Sequence, residues 1–296
     1  MLTLFVNPSE NKKAFTLVEL LVVIAVTGLL SSIIFVIVSG SGEQGRIAKG
    51  LYFSQHLHNS LGSYAAGIWK FDEGSGTVAN DTSGWQSNGT LVNSPTWRCA
   101  SVDTNYTPSG QGCSLELNGS TQYVNAGNNA NLNITGVLTI ESWVYPKEKK
   151  IQQIVDKRTM SGAWKGYWLE MYASIIYFGV GNGTSHVNLG YTYNYDINTW
   201  YHIVGVYDDG NWAIYVNGQL GNSGYTAVTI SDSGNSLTIG ADFGNYPFNG
   251  LIDETRLYSA SLTSAQIESQ YYVGLERLLA KGQISEQEYR QRLARG

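Results

Sequence analysis

Charge is what this sequence is most short of. Asp, Glu, Lys and Arg supply 14% of its 296 residues, where about a quarter is usual for a soluble cytosolic protein. Basic residues are not in excess either. The 18 Lys and Arg against 23 Asp and Glu give a formal charge of −5, which removes the electrostatic footprint of a nucleic-acid binder. Only two cysteines occur, Cys99 and Cys113, in one stretch rich in Gly, Ser, Thr and Asn. A disulfide closing that loop fits an oxidising compartment, with two free thiols as the alternative. In place of charge stand 34 Gly, 20 Tyr and 8 Trp. That mixture suits turn-rich, all-β structure outside the cytoplasm.

Catalytic signatures are missing between residues 66 and 260. Retaining glycoside hydrolysis needs two carboxylates about 5–5.5 Å apart, which one strand can supply from residues that share a face. Here "IDETR" holds adjacent acids, which point to opposite faces, and Glu141 and Glu148 lie either side of Pro146. His186 and His202 are the only histidines of the stretch, and no Ser-His-Asp arrangement is visible. His202, in "WYHIVGVY", reads as a polar strand residue. No enzyme is expected.

Charge is also absent from Phe15 to Val38, with the single exception of Glu19. This apolar run gives roughly 36 Å of helix, enough to span a hydrocarbon core of about 30 Å. No cleavage site follows Val38, and Lys12 and Lys13 precede the run, so the lysines stay cytoplasmic and the rest lies outside. A lone carboxylate near a bilayer centre costs about 3 kcal/mol or more unless it finds a partner.

The stretch "KKAFTLVELLVVIAVTGLL" resembles the N-terminal signal of type IV prepilins and type II secretion pseudopilins. The resemblance implies cleavage by a prepilin peptidase between Ala14 and Phe15 and methylation of Phe15 as the new N-terminus. Glu19 becomes the fifth mature residue, which in that family pairs with the first residue's α-amino group in a neighbouring subunit. Ala14 departs from the glycine that usually precedes the cut. Residues 1–14 are then a leader and 15–62 a transmembrane and stem helix, with other pilin subunits as partners. The protein sits in the inner membrane before assembly and on a surface or periplasmic filament after it. Ile47, Leu51, Leu57 and Leu61 continue the helical spacing to about Ser60, and His56 and His58 fall on different sides of it.

From 66 to 262 short β runs alternate with Asn-Gly and Asp-Gly turns, and "GVYDDGNWAIYVNGQ" reads as a hairpin at Asp209-Gly210. Many short strands without a long helical pattern predict a two-sheet antiparallel sandwich. The segments "WKFDEGSGTVANDTSG", "SLELNGSTQYVNAG", "LTIESWVYP", "NTWYHIVGVYDDGNWAIYVNGQ" and "FNGLIDETRLYSASLTSAQI" resemble the laminin-G-like, concanavalin A-like jelly roll. That resemblance implies carbohydrate or surface-protein binding, with Trp164, Tyr191, Tyr193, Tyr195 and Tyr246 as candidate ligand-stacking rings. It also implies one structural Ca2+, with Asp253, Asp72 and Asp81 as candidate ligands. The repeated Asn-x-Ser/Thr sequences, Asn88 and Asn118 among them, read as turns.

Residues 263–296 abandon the β pattern. "LTSAQIESQYY" resembles the short helix that closes the jelly roll. "GLERLLAKG" and "ISEQEYRQRLA" then form two short helices around Gly282, with Ser285 and Glu288 as a capping box. These last two resemble a small C-terminal helical-hairpin domain, either a protein contact or a solvated end. The expected whole is mainly β: a minor pilin or pseudopilin presenting a binding jelly roll, or else a purely structural pseudopilin.

Overall fold

A computed structural model describes residues 61–294, apart from 160, 161, 163, 281 and 283. Ala14, Phe15, Glu19 and the stem lie outside the described residues. Among the described residues no helix is long and apolar enough to cross a membrane.

Sixteen strands build the body. The first eight are β1 (Ala65–Trp69), β2 (Val78–Ala79), β3 (Gly89–Val92), β4 (Thr96–Cys99), β5 (Cys113–Asn118), β6 (Tyr123–Gly127), β7 (Leu138–Pro146) and β8 (Ile151–Thr159). There follow β9 (Lys165–Tyr172), β10 (Ile175–Asn182), β11 (His186–Thr192), β12 (Tyr201–Asp208), β13 (Asn211–Val216), β14 (Gln219–Tyr225), β15 (Leu237–Ile239) and β16 (Asn249–Tyr258). The first sheet runs β14-β13-β12-β7-β16-β5-β4, with β1 also on β16; the second runs β11-β10-β9-β8-β15-β6-β3-β2. The expected jelly roll is therefore present.

Alternation explains the core. Ile140, Val144, Ile203, Ile214 and Leu257 face inward from the first sheet, and Val155, Leu169, Met171, Ile176 and Phe178 meet them from the second. The Asp209-Gly210 hairpin forms as read. Asp208 pairs with Asn211, and both turn residues take positive φ, 47° and 89°, the geometry of a tight I′ turn. Cys99 and Cys113 form a disulfide across the β4–β5 pair.

The expected helical hairpin around Gly282 is present, but the short helix that closes the jelly roll runs on into its first arm as one 17-residue helix, α1 (Ser264–Ala280), and α2 (Glu286–Ala294) follows. Gly274 does not break α1. Instead it lets the helix approach the sheet, since a Cβ there would stand 3.2 Å from Trp143. Gly282 takes φ 67° as a left-handed stop, and Ser285 Oγ accepts from the Glu288 amide at 3.1 Å.

Both helices pack on the outer face of the first sheet. Strands β7 and β12 are buried on both sides, and a strand like that needs a cover. Ile267 joins Val204, Val206 and Tyr258, while Tyr271, Leu275, Ile284 and Tyr289 cluster on Trp143. Beneath α1, the buried Glu141 pairs with Arg256 and stands 3.1 Å from His202 Nε2. Gly50–Gly296 forms one compact unit with a core of its own, as expected of a part that folds alone.

Candidate functional site

The outer face of the second sheet is built differently. On β9 the alternation "YWLEMY" sends Tyr167, Leu169 and Met171 inward and Trp168, Glu170 and Tyr172 outward. Cross-strand pairing puts Asp156 opposite Trp168, Gln153 and Tyr177 opposite Glu170, and Asn188 opposite Gly179. Directly paired residues share a face, so these side chains form one outer surface. Gly179 is required there, because the Trp168 ring crosses it and a Cβ would lie 1.8 Å from that ring. The indole then donates to Asn188 Oδ1 at 3.0 Å.

Arg158 organises the middle of this face. It is 2% exposed, binds Asp156 at 2.8 Å and Glu170 at 3.2 Å, and lies about 5 Å over both Trp164 and Trp168. Gln153 also donates to Glu170. Burial pushes the Asp156 carboxyl well above the usual range, with Arg158 pulling it back and Asp242 pushing further. Asp242 is likewise raised, by burial first.

One end of the face stays open. Tyr172 is exposed and meets Tyr177 edge-on at 6.2 Å. Opposite them stands the loop between β15 and β16, whose Tyr246 carbonyl accepts from the Gln153 amide at 2.9 Å. In that loop Asp242 and Asn245 exchange both backbone hydrogen bonds, holding Phe243 at the tip of a two-residue turn. Phe243 and Tyr246 are each 42% exposed, with φ 46° and 49°. A left-handed bulky residue costs about 1–2 kcal/mol, so the loop holds two aromatic rings outward against backbone strain. Two strand spacings, about 10 Å, separate Tyr177 from Gln153. Exposed aromatic rings thus flank this end like the sides of a shallow trough, and Glu170 and Gln153 lie buried beneath it.

The candidate rings distribute unevenly over this frame. Tyr246 borders the trough. Trp164 lies on the same face, but its ring stacks on His186 at 4.3 Å as well as meeting Arg158. The tyrosine row is corrected: Tyr191 pairs with Ile176, a core residue, so the row faces inward. Tyr191 and Tyr193 pack on the core and Tyr195 is 1% exposed. Alternation gave their shared side, but which side is set by the partner strand. Phe243, Tyr172, Tyr177 and Glu170 were not singled out from sequence. The β9 alternation carried the signal for Tyr172 and Glu170, and nothing local marked Phe243.

The acid candidates also divide. Asp81 is engaged within the fold: its oxygens accept from the Ile68, Ser83 and Ser87 amides and from Ser83 Oγ. That pattern fixes a turn and leaves the carboxylate committed. Asp253 is buried on the first sheet's outer face, and its carboxyl is pushed well up by burial, then by Asp72, and also by Glu73. Asp72 accepts from the Cys113 amide at 3.0 Å, and Glu73 Oε2 is buried without a partner. Phe71 and Glu254, beside these acids, take φ 53° and 47°. Among the described residues no three His, Cys, Asp or Glu side chains are grouped to hold a metal by themselves, so backbone carbonyls would have to complete a calcium shell.

Residues 118–268, just over half the chain, match the profile of the concanavalin A-like lectin/glucanases superfamily. Residues 10–35 match the prokaryotic N-terminal methylation motif. No curated protein matches the chain. Among solved structures it is similar to the botulinum neurotoxin serotype D ligand binding domain in complex with N-acetylneuraminic acid. That match has 14% identity and TM-score 0.58, covering 74% of this chain and 53% of the other. The serotype G binding domain gives 16% identity and TM-score 0.55, covering 71% and 51%. Domain 4 of AbnA, an extracellular arabinanase from Geobacillus stearothermophilus in complex with arabinotriose, gives 17% and 0.54, covering 69% and 97%. The chain thus spans about half the length of the toxin domains it matches.

Proposed function

The chain belongs to the concanavalin A-like lectin/glucanases superfamily, and on that premise we propose that it is a pilin-like subunit displaying a carbohydrate-binding jelly roll outside the cytoplasmic membrane. The observation that carries the binding half is the open trough, with Tyr172 and Tyr177 on one side and Phe243 and Tyr246 on the other. Aromatic faces take the apolar faces of sugar rings. Two of the similar structures, from the serotype D toxin and the arabinanase, are complexes with a sugar, which supports the reading. Asp156 and Glu170 are engaged by Arg158, which favours binding over carboxylate catalysis.

A glycan array of the soluble fragment 50–296 tests this. Saturable binding is expected, weakened about tenfold by Tyr246→Ala and by Tyr172→Ala at unchanged melting temperature. A blank array, or binding indifferent to both variants, would leave a purely structural subunit.

The display half rests on the methylation motif over residues 10–35. Phe15 becomes the methylated N-terminus, and Glu19 pairs with a neighbour's Phe15 amino group, which offsets the cost of a buried charge. Mass spectrometry of the mature protein should find methyl-Phe15; an intact Met1 sinks the assignment.

Asp253 and Asp72, with Glu73, would hold one Ca2+ together with backbone carbonyls. The orphaned Glu73 oxygen and the raised Asp253 fit a hard cation. Calcium should raise the melting temperature of the wild-type fragment and not that of Asp253→Asn; equal melts with Ca2+ and with EDTA would exclude the ion.

A further inference from the structure

On the opposite side of the molecule from the trough, a cavity of about 400 Å³ lies between the first sheet's outer face and the C-terminal helices. Its size falls in the range of small-molecule sites. Four parts of the chain wall it. β7 contributes Trp143 and Tyr145, and the disulfide-closed loop contributes Asp103 and Asn105 to Pro108. The turn before β12 contributes Trp200, and the helical hairpin contributes Leu275, Leu278 and Ile284. The walls are held in place: Trp200 Nε1 donates to the Asn105 carbonyl at 2.9 Å, and Tyr145 packs against Trp200 at 5.5 Å.

The charges are distributed unequally. Two cations, Lys147 and Arg292, line the cavity. Their carboxylate partners, Glu116 and Glu288, do not line it. The one lining acid, Asp103, is occupied: its Oδ1 accepts from the Asn105 amide at 2.9 Å and side chain at 3.1 Å. A ligand would therefore meet flat apolar walls and two cationic groups whose carboxylate partners are not part of the lining.

From this we propose a second binding site, distinct from the trough, for a free amphiphile with a flat apolar body and a single anionic head. The body lies between Trp200 and the leucines of α1. The carboxylate, sulfonate or phosphate head meets Lys147 and Arg292. Because Arg292 and Leu278 come from the hairpin, the C-terminal helices are a wall of the site.

Anilinonaphthalene sulfonate is the probe, with fragment 50–296 and uncharged anilinonaphthalene as its headless analogue. The expected result is one equivalent of saturable fluorescence enhancement in the native protein. Leu278→Trp, which fills the cavity from the hairpin side, should abolish it while the melting temperature holds. Lys147→Gln and Arg292→Gln should each weaken binding about tenfold, and the neutral analogue should bind about tenfold more weakly than the sulfonate. Absence of binding, or binding unaffected by Leu278→Trp, overturns the site; equal affinity for the neutral analogue overturns the anionic head. Co-sedimentation with phosphatidylglycerol vesicles that Leu278→Trp removes would overturn the free ligand in favour of a lipid surface. None of these outcomes depends on the glycan array.

Discussion

The two sheets share one core but solve the problem of their outer faces in opposite ways. On the first sheet, outward positions of β7, β12 and β16 carry Trp143, Val204, Val206 and Tyr258, and two helices cover them. On the second, outward positions of β8 and β9 carry Asp156, Arg158, Trp168 and Glu170, which cover one another. An apolar face must be buried by another element. A face of paired charges and rings needs no cover and can stay open at its end. The two candidate sites follow the difference: the helices enclose a cavity, and the uncovered sheet leaves exposed rings at its end.

The largest expected effect breaks the second sheet's arrangement. Arg158→Ala leaves Asp156 and Glu170 buried without their cation, a loss of about 3–5 kcal/mol readable from urea midpoints. The pH dependence has a definite sign. Burial raises Asp156 in the fold above its ordinary value of 3.8, with Arg158 opposing. Its contribution to stability is therefore present below that value and lost as pH rises through the folded one. Removing Arg158 steepens the loss, so the variant should recover stability as pH is lowered.

A smaller effect belongs to the first sheet. Leu275→Ala, in the cluster on Trp143, should cost about 2–4 kcal/mol. Because Leu275 belongs to the apolar cluster on Trp143 and leaves the Glu141–Arg256 pair intact, this cost should be nearly flat with pH, and a slope as steep as that of Arg158→Ala would erase the contrast. The smallest effect is a gain. Phe243→Gly relieves a left-handed backbone, raising stability by about 1 kcal/mol, while removing a ring from the trough and weakening glycan binding. A variant that gained stability without losing affinity would show that the strained turn serves packing only.

Much of this was legible along the chain because strand alternation and turn chemistry are local. The Asp209-Gly210 hairpin, the strand pattern behind the sandwich class and the stop at Gly282 all follow from neighbours within a few residues. The tyrosine row was legible as a row. Its direction was not, since Tyr191 faces inward only because Ile176 stands opposite. Likewise Asp81 and Asp253 are equally acidic in sequence. One is consumed by amides of its own turn, while the other is buried against acids almost two hundred residues away.

Residue order alone shows which residues share a side of each strand, where the chain turns, and that the first forty residues carry an apolar, prepilin-type pattern. Which side is inside, that the C-terminal helices are docked, and that Gln153 joins Glu170 and Tyr246 at one edge emerge only once the sheets close. The reason is physical. Periodicity is written by the backbone over a few residues, whereas burial, charge compensation and the convergence of rings depend on strands that meet only when the sheets close.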